Sequence, residues 1–304
     1  MRLLFSALIS LILSAVSASA GFLNVTQVAP DTYAIVGPLG QRNPGNLGNN
    51  ATFGLVVTGE GAVLIDAGAS RLGAKMLHRA VKGITDQPVV TVINTGGQDH
   101  RWLGNGYWHD QGATIIASAA AVEDQKDRVS MQLTALTNQI SEFGLMGTEP
   151  YQADVTFDDT YSFTLGGVLF ELTHAPAHTP GDSFVWLPEA SVMFTGDIVY
   201  TERLLGVMSF SSSKEWVTSF EALAAKSPQH IVPGHGSPTD LSTAELDTYD
   251  YLVSLREQIA AHIDDGGDMI GSVMVDQAAF SYLENFETLA GRNAQETFSQ
   301  MEWE

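Results

Sequence analysis

The chain has 304 residues, with 35 acidic against 14 basic side chains and no cysteine. A formal charge of -21 repels polyanions, which argues against a nucleic-acid partner and tilts the substrate toward a neutral or cationic small molecule. Without cysteine there are no disulfides and no thiolate metal sites, and the length suits a large domain with a sizeable core.

Residues 1–20 read as a cleavable export signal: Arg2 supplies the charged start, residues 3–16 an apolar stretch, and Ala18-Ser19-Ala20 a small-residue cleavage site. The expected mature protein begins at Gly21 and is periplasmic or secreted. No later run is long and apolar enough to predict a membrane span. Residues 38–50 are rich in Gly and Asn and predict a mobile loop near a site. Next come two β-rich runs, Gly54-Leu55-Val56-Val57-Thr58 and Gly61-Ala62-Val63-Leu64-Ile65-Asp66, which predict a hairpin. Helical spacing over 72–82 ends near Gly83. The continuous apolar run 89–93 predicts a strand covered on both faces, repeated at 114–117 and followed by a helix over 119–137.

Further strands are expected at 163–165, 169–172, 183–186, 192–194 and 230–232, and helices at 216–225 and 244–261. The alternation predicts an α/β fold with mixed sheets between helices. Past Gly236 the chain reads as helical, broken at Asp264-Asp265-Gly266-Gly267-Asp268. That acidic cluster lacks the spacing of a calcium loop and predicts a helix-ending turn.

Three groups sit where a turn would follow a strand: His178 in His-Thr-Pro-Gly, Asp197 in Thr-Gly-Asp, and His235 in Pro-Gly-His-Gly. Imidazole and carboxylate are the ligands zinc and iron accept most readily, so the trio predicts a metal site. His174 lies on the approach to the same loop and is a secondary candidate. Asp66, at the end of its strand, is expected to brace the site rather than ligate. His78, His109, His230 and His262 read as ordinary hydrogen-bonded histidines.

These motifs, with Asn94-Thr95 and Gly104-Asn105 in the same order, resemble the metallo-β-lactamase superfamily from about Val36 to Gly236. The resemblance implies a four-layer αβ/βα sandwich with a metal site between the edges of two sheets. It divides the chain into a signal (1–20), a metallo-β-lactamase-like domain (21–237) and a helical C-terminal extension packed on it (238–304). By motif, His178 corresponds to a ligand of the first metal, Asp197 to the bridge between two metals, and His235 to a ligand of the second.

The chain departs from the family at its Thr-His-x-His-x-Asp-His loop, which here reads Thr95-Gly96-Gly97-Gln98-Asp99-His100-Arg101. Aligned without a gap, Gly96 and Gln98 stand at the two first-metal histidines, His100 at the Asp and Arg101 at the last His. With a one-residue deletion, Asp99-His100 match Asp-His instead. Both registers lose an imidazole, so the expectation is one ion, zinc or alternatively iron, held by His100, His178, Asp197 and His235. Arg101 is expected to supply a fixed positive charge to an anionic group or oxyanion. Asp99, if not a ligand, would position or deprotonate water.

The function implied is exported, metal-dependent hydrolysis of a small ester, lactone or amide by a metal-bound hydroxide. A binding module that has lost turnover is the alternative. A redox role with iron is disfavoured because no dinucleotide fingerprint follows a strand. The run Ile198-Val199-Tyr200-Thr201-Glu202-Arg203 is a candidate pocket lining.

Overall fold

The computed structural model describes residues 22–304; the export signal expected over 1–20 lies outside them. The first sheet has seven strands in sequential order: β1 (Asn24–Ala29), β2 (Thr32–Val36), β3 (Thr52–Thr58), β4 (Gly61–Ile65), β5 (Val89–Asn94), β6 (Thr114–Ser118) and β7 (Val155–Phe157). Pairing is antiparallel from β1 to β4, where Thr58 faces Gly61 across the predicted hairpin, and parallel from β4 to β7. The second sheet holds β8 (Thr160–Leu165), β9 (Val168–His174), β10 (Ser183–Leu187), β11 (Val192–Phe194) and β12 (His230–Val232), in the order β12-β11-β10-β9-β8. Only β11 and β12 run parallel there.

The inner faces of both sheets share one apolar layer, including Val63, Ile65 and Ile93 from the first and Phe170, Val185 and Phe194 from the second. Outside the first sheet lies α1 (Arg71–Ile84), whose Ser70 N-cap accepts from the Gly73 amide and whose Leu77 and Val81 enter the core. Every residue of β4 is buried, as the unbroken apolar run predicted for a strand covered on both faces. Outside the second sheet pack α5 (Ser213–Ala224), α7 (Asp250–Asp264) and α8 (Phe286–Met301), joined by Trp216, Tyr251, Leu255 and Phe298. The layers therefore run helix, sheet, sheet, helix.

The C-terminal helices share a core with β10 and β11 and form no separate body. After α7 the acidic cluster forms a turn: Gly266 takes a positive φ of 77° and the Asp268 carboxylate accepts from the Gly271 amide at 2.7 Å. The short helices α2 (Asp99–Trp102) and α3 (Asn105–Asp110) follow β5, and α4 (Ala119–Gly144) follows β6. β1, β2 and β7 were not among the expected strands and gain their conformation from pairing, while α8 falls in the stretch that reads as helical past Gly236. No described helix is long and apolar enough to cross a membrane.

Candidate metal centre

Turns at the ends of five strands bring the chemistry together: Asp66 after β4, the Thr95–Arg101 segment after β5, His178 between β9 and β10, Asp197 after β11, and His235 after β12. Among the described residues, His100, Asp197 and His235 form a buried group whose ligand atoms lie within 4.8 Å of one another. His178, also buried, stands outside that tight group, whereas the sequence placed it with the other three. It is held in the β9–β10 loop, with its Nδ1 2.9 Å from the Gly206 carbonyl.

The tautomers of His235 and His178 are legible from their partners. His235 Nδ1 lies 2.8 Å from the Asn50 carbonyl oxygen, which can only accept, so Nδ1 bears the proton. Burial holds this imidazole well below its ordinary pKa, and the Arg203 charge adds to the effect, so the ring is neutral. Its Nε2 lone pair then faces Asp197 Oδ1 at 3.2 Å, acceptor against acceptor. His178 follows the same rule: Nδ1 donates to Gly206, and burial lowers the ring to about 4. His100 Nε2 is buried without a hydrogen-bond partner, 3.3 Å from Asp197 Oδ2. Two Nε2 atoms converging on one carboxylate, with the ring orientation fixed from behind, fit a single cation.

Arg101 departs from its expected part. It is fully buried, and all five of its N–H groups are used. Nε and Nη2 reach Asp197 at 3.2 and 2.7 Å, Nη1 reaches Asp66 at 2.7 Å and the Thr52 carbonyl at 3.2 Å, and Nη2 also reaches the Gly234 carbonyl at 3.0 Å. No donor is left for a substrate oxyanion. Arg101 instead neutralises Asp66 and Asp197 and ties β3, β4 and the turns after β11 and β12 to the β5 loop. Asp66 braces it, also accepting from the Thr95 amide and hydroxyl, as expected for a supporting group.

Asp99 also differs from its expected role as a base. Burial alone would raise its pKa, but the Arg42 charge and hydrogen bonds from His100 outweigh that and bring it to about 2. A carboxylate so stabilised in its ionised form is a poor proton acceptor. It pairs with Arg42 at 2.5 Å and accepts from the His100 amide at 2.7 Å, which seats the ring.

Arg42 was missed by the sequence reading. It comes from the loop 38–50, expected to be mobile, which is pinned by asparagines: Asn46 accepts from the Asn43 and Gly48 amides, and Asn49 bonds Gly73 and Ala69. One signal was available, a basic residue in a polar loop of a chain with few of them.

The glycines at 96 and 97 have a steric cause. A Cβ at Gly96 would overlap Asp182 Oδ1, and one at Gly97 would overlap the Asp124 carboxylate, itself paired with Arg128. Asp182 is the other residue missed. Burial pushes its pKa well up, with the Asp197 charge adding to the effect, and it bonds the Thr179 amide and hydroxyl at 2.8 and 2.5 Å. Gln98 contacts Arg128 at 3.3 Å and is no ligand of the group. The Asn94 and Asn105 side chains bond each other reciprocally at 2.9 and 2.8 Å, closing the altered loop at both ends. His174 contacts the Pro180 carbonyl at 2.8 Å and stays outside the cluster.

With this geometry in view, comparison with known proteins gives a consistent result. Residues 48–235, more than half of the chain, match the family described as the metallo-beta-lactamase superfamily. A linear primary-alkylsulfatase of Pseudomonas sp. is 20% identical over 219 residues, 59% of this chain; the chain spans 40% of that relative's length. A hydroxyacylglutathione hydrolase of Haemophilus influenzae is 26% identical over 186 residues, 59% of this chain and 82% of that one. Both relatives are hydrolases by name. Among solved structures, a metallo-beta-lactamase from Pontibacter korlensis superposes with a TM-score of 0.60 at 23% identity, over 76% of this chain and 99% of the other, a likeness of fold. From the loop that carries Asn49 to the buried His235, the chain belongs to the metallo-beta-lactamase superfamily.

Proposed function

We propose that the chain is an exported hydrolase that uses one metal ion, zinc in the first instance, to cleave a small ester, lactone or amide. The observation that carries this reading is the neutral His235, whose Nε2 lone pair faces the Asp197 carboxylate at 3.2 Å. That apposition is repulsive unless a cation lies between the two groups. His100, Asp197 and His235 would hold the ion, with His178 offering a fourth nitrogen from the adjoining loop. A metal there lowers the pKa of a water toward neutrality and polarises the oxygen of the scissile bond.

The protein's own groups prepare that chemistry. Arg101 keeps Asp197 ionised by donating to both of its oxygens. Asn50 and Gly206, through their carbonyls, fix two imidazoles with Nε2 unprotonated. Asp99 and Arg42 orient the third. Near-complete burial of His100, Asp197 and His235 excludes bulk water and strengthens each of these interactions.

A specific observation favours the competing reading, a binding module without turnover: Arg101 already balances Asp197, and glycine stands where the family has a histidine. One measurement separates the two. Elemental mass spectrometry of the mature protein is expected to find about one equivalent of metal, lost in His235→Ala, with ester hydrolysis abolished by a chelator. A folded protein that holds no metal and hydrolyses no ester would leave the binding module as the surviving account.

A further inference from the structure

Four of the chain's 14 basic side chains, Arg42, Arg101, Arg128 and Arg203, gather around the candidate metal centre. Three of them are paired with carboxylates: Arg42 with Asp99, Arg101 with Asp66 and Asp197, and Arg128 with Asp124. Arg203 is not. It is 6% exposed, yet among the described residues it makes no ion pair, and its Nε is buried without a partner. Among the described residues its guanidinium meets one atom within hydrogen-bond range, His235 Nδ1, 3.4 Å from Nη1. That nitrogen already carries a proton directed at Asn50, so the two groups meet donor to donor.

A second guanidinium lies close by. Arg42 contacts His100 Nδ1, Arg203 lies against His235, and those two rings are 5.2 Å apart. The Arg42 Nε is likewise buried and unpartnered. Leaving one buried guanidinium without an acceptor is costly, and proteins ordinarily avoid it by pairing the charge. Arg42 and Arg203 thus each keep an unused Nε–H beside the two rings, and guanidinium N–H groups are suited to the oxygens of a carboxylate or sulfate-type oxyanion.

We propose that Arg203, with Arg42 beside it, receives an anionic group of the substrate, a carboxylate or sulfate-type oxyanion, next to the cluster of His100, Asp197 and His235. This rests on the hydrolase reading for the word substrate, but binding of the anion does not require turnover. Where the charge of the whole chain favoured a neutral or cationic substrate, the unpaired Arg203 favours an anion at its own position. The surface charge is spread over the exterior and screened by salt within about 10 Å. Arg42, Arg101 and Arg128 are matched by Asp99, Asp66, Asp197 and Asp124, so the preference rests on Arg203, which acts at contact distance in a buried setting. The bond cleaved would then belong to a molecule that carries a fixed negative group beside its ester, lactone or amide.

Isothermal titration of the metal-loaded protein with benzoate, benzenesulfonate and the neutral isostere benzamide tests this, with metal content measured in each sample. Wild-type protein is expected to bind at least one of the two anions at least tenfold more tightly than benzamide. A preference between the anions separates a carboxylate site from a sulfate-type one. Arg203→Gln is expected to lose that advantage with metal content unchanged, and Arg203→Lys to recover part of it. Equal anion binding in wild type and Arg203→Gln would overturn the proposal, because the metal alone would then hold the anion. So would anions that bind no better than benzamide. The ligand-free thermal midpoint gives an independent reading: Arg203→Gln should match or exceed wild type, since it removes an unpaired buried charge. A variant that melts well below wild type or does not fold would make Arg203 a structural residue and overturn the idea. Failure to find a hydrolysed ester would leave these binding results unaffected.

Discussion

The two halves of the site were built by different means. On the side of the second sheet stand His178, Asp197 and His235, and backbone carbonyls of Gly206 and Asn50 orient the two rings. On the side of the first sheet, the segment 95–101 keeps the turn and discards most of the ligands. Gly96 and Gly97 make room for Asp182 and Asp124, and Arg101 sets a five-donor cation against Asp66 and Asp197. One half supplies Asp197 and His235 to the tight group; the other supplies His100 alone and sets the residues around it in an ion-pair network. A metal ion and a guanidinium answer the same electrostatic need of Asp197, but the guanidinium cannot activate a water.

The largest effect should come from the altered half. Arg101→Met leaves Asp66 and Asp197 buried without their counter-charge, and a loss of about 3–5 kcal/mol in denaturant-unfolding stability is expected. If the loss stays under about 1 kcal/mol, Arg101 is not the element that holds the two carboxylates. Lysine at this position should rescue little, since one ammonium cannot reproduce the two-sided fork.

Next in size is Gly97→Ala, whose added methyl would overlap the Asp124 carboxylate and disturb its pair with Arg128. A destabilisation of about 1–3 kcal/mol is expected by the same measurement. An unperturbed variant would mean that the Asp124–Arg128 pair yields freely, and that steric crowding does not explain glycine at this place.

Asp182→Asn should have the smallest effect, and its sign depends on pH. The folded-state pKa of Asp182 is raised above its ordinary value of 3.8, so the fold prefers the protonated acid. Its contribution is fully present below the unfolded pKa and is lost as pH rises through the folded one. Asparagine resembles the protonated form at every pH. The variant should therefore match wild type near pH 4 and equal or exceed it near neutrality, by about 3 °C in thermal midpoint for each kcal/mol removed. A variant less stable at neutral pH than at acid pH, relative to wild type, would show that Asp182 is ionised in the fold.

Much of the fold was legible because burial on both faces leaves an unbroken apolar run. The strands β4, β5, β6, β10 and β11 are marked in this way, and α1 by its periodic apolar face. β7, three residues long and not among the expected strands, owes its form to pairing with β6, whereas β12 stands at 230–232 as expected. α8 is held by its contacts with the second sheet's outer layer. In the site, His100, Asp197 and His235 were legible as metal-binding residue types beside turn residues, and the structure draws those three together. The role of Arg101 was not, since a guanidinium placed near a carboxylate in sequence space can face substrate or be consumed by protein acceptors. Counting its five occupied donors decided between these.

The sequence by itself determined the layered architecture and the residue types at the strand-end turns, because hydrophobic pattern and turn chemistry are local. Only the tertiary structure decided how charge is shared within the site. Arg42 meets Asp99 across 57 positions, Arg101 meets Asp197 across 96, and Arg203 is left without a carboxylate although it lies 32 residues from His235. Electrostatic partnership depends on distance in space and on burial, and neither is written in the order of residues along the chain.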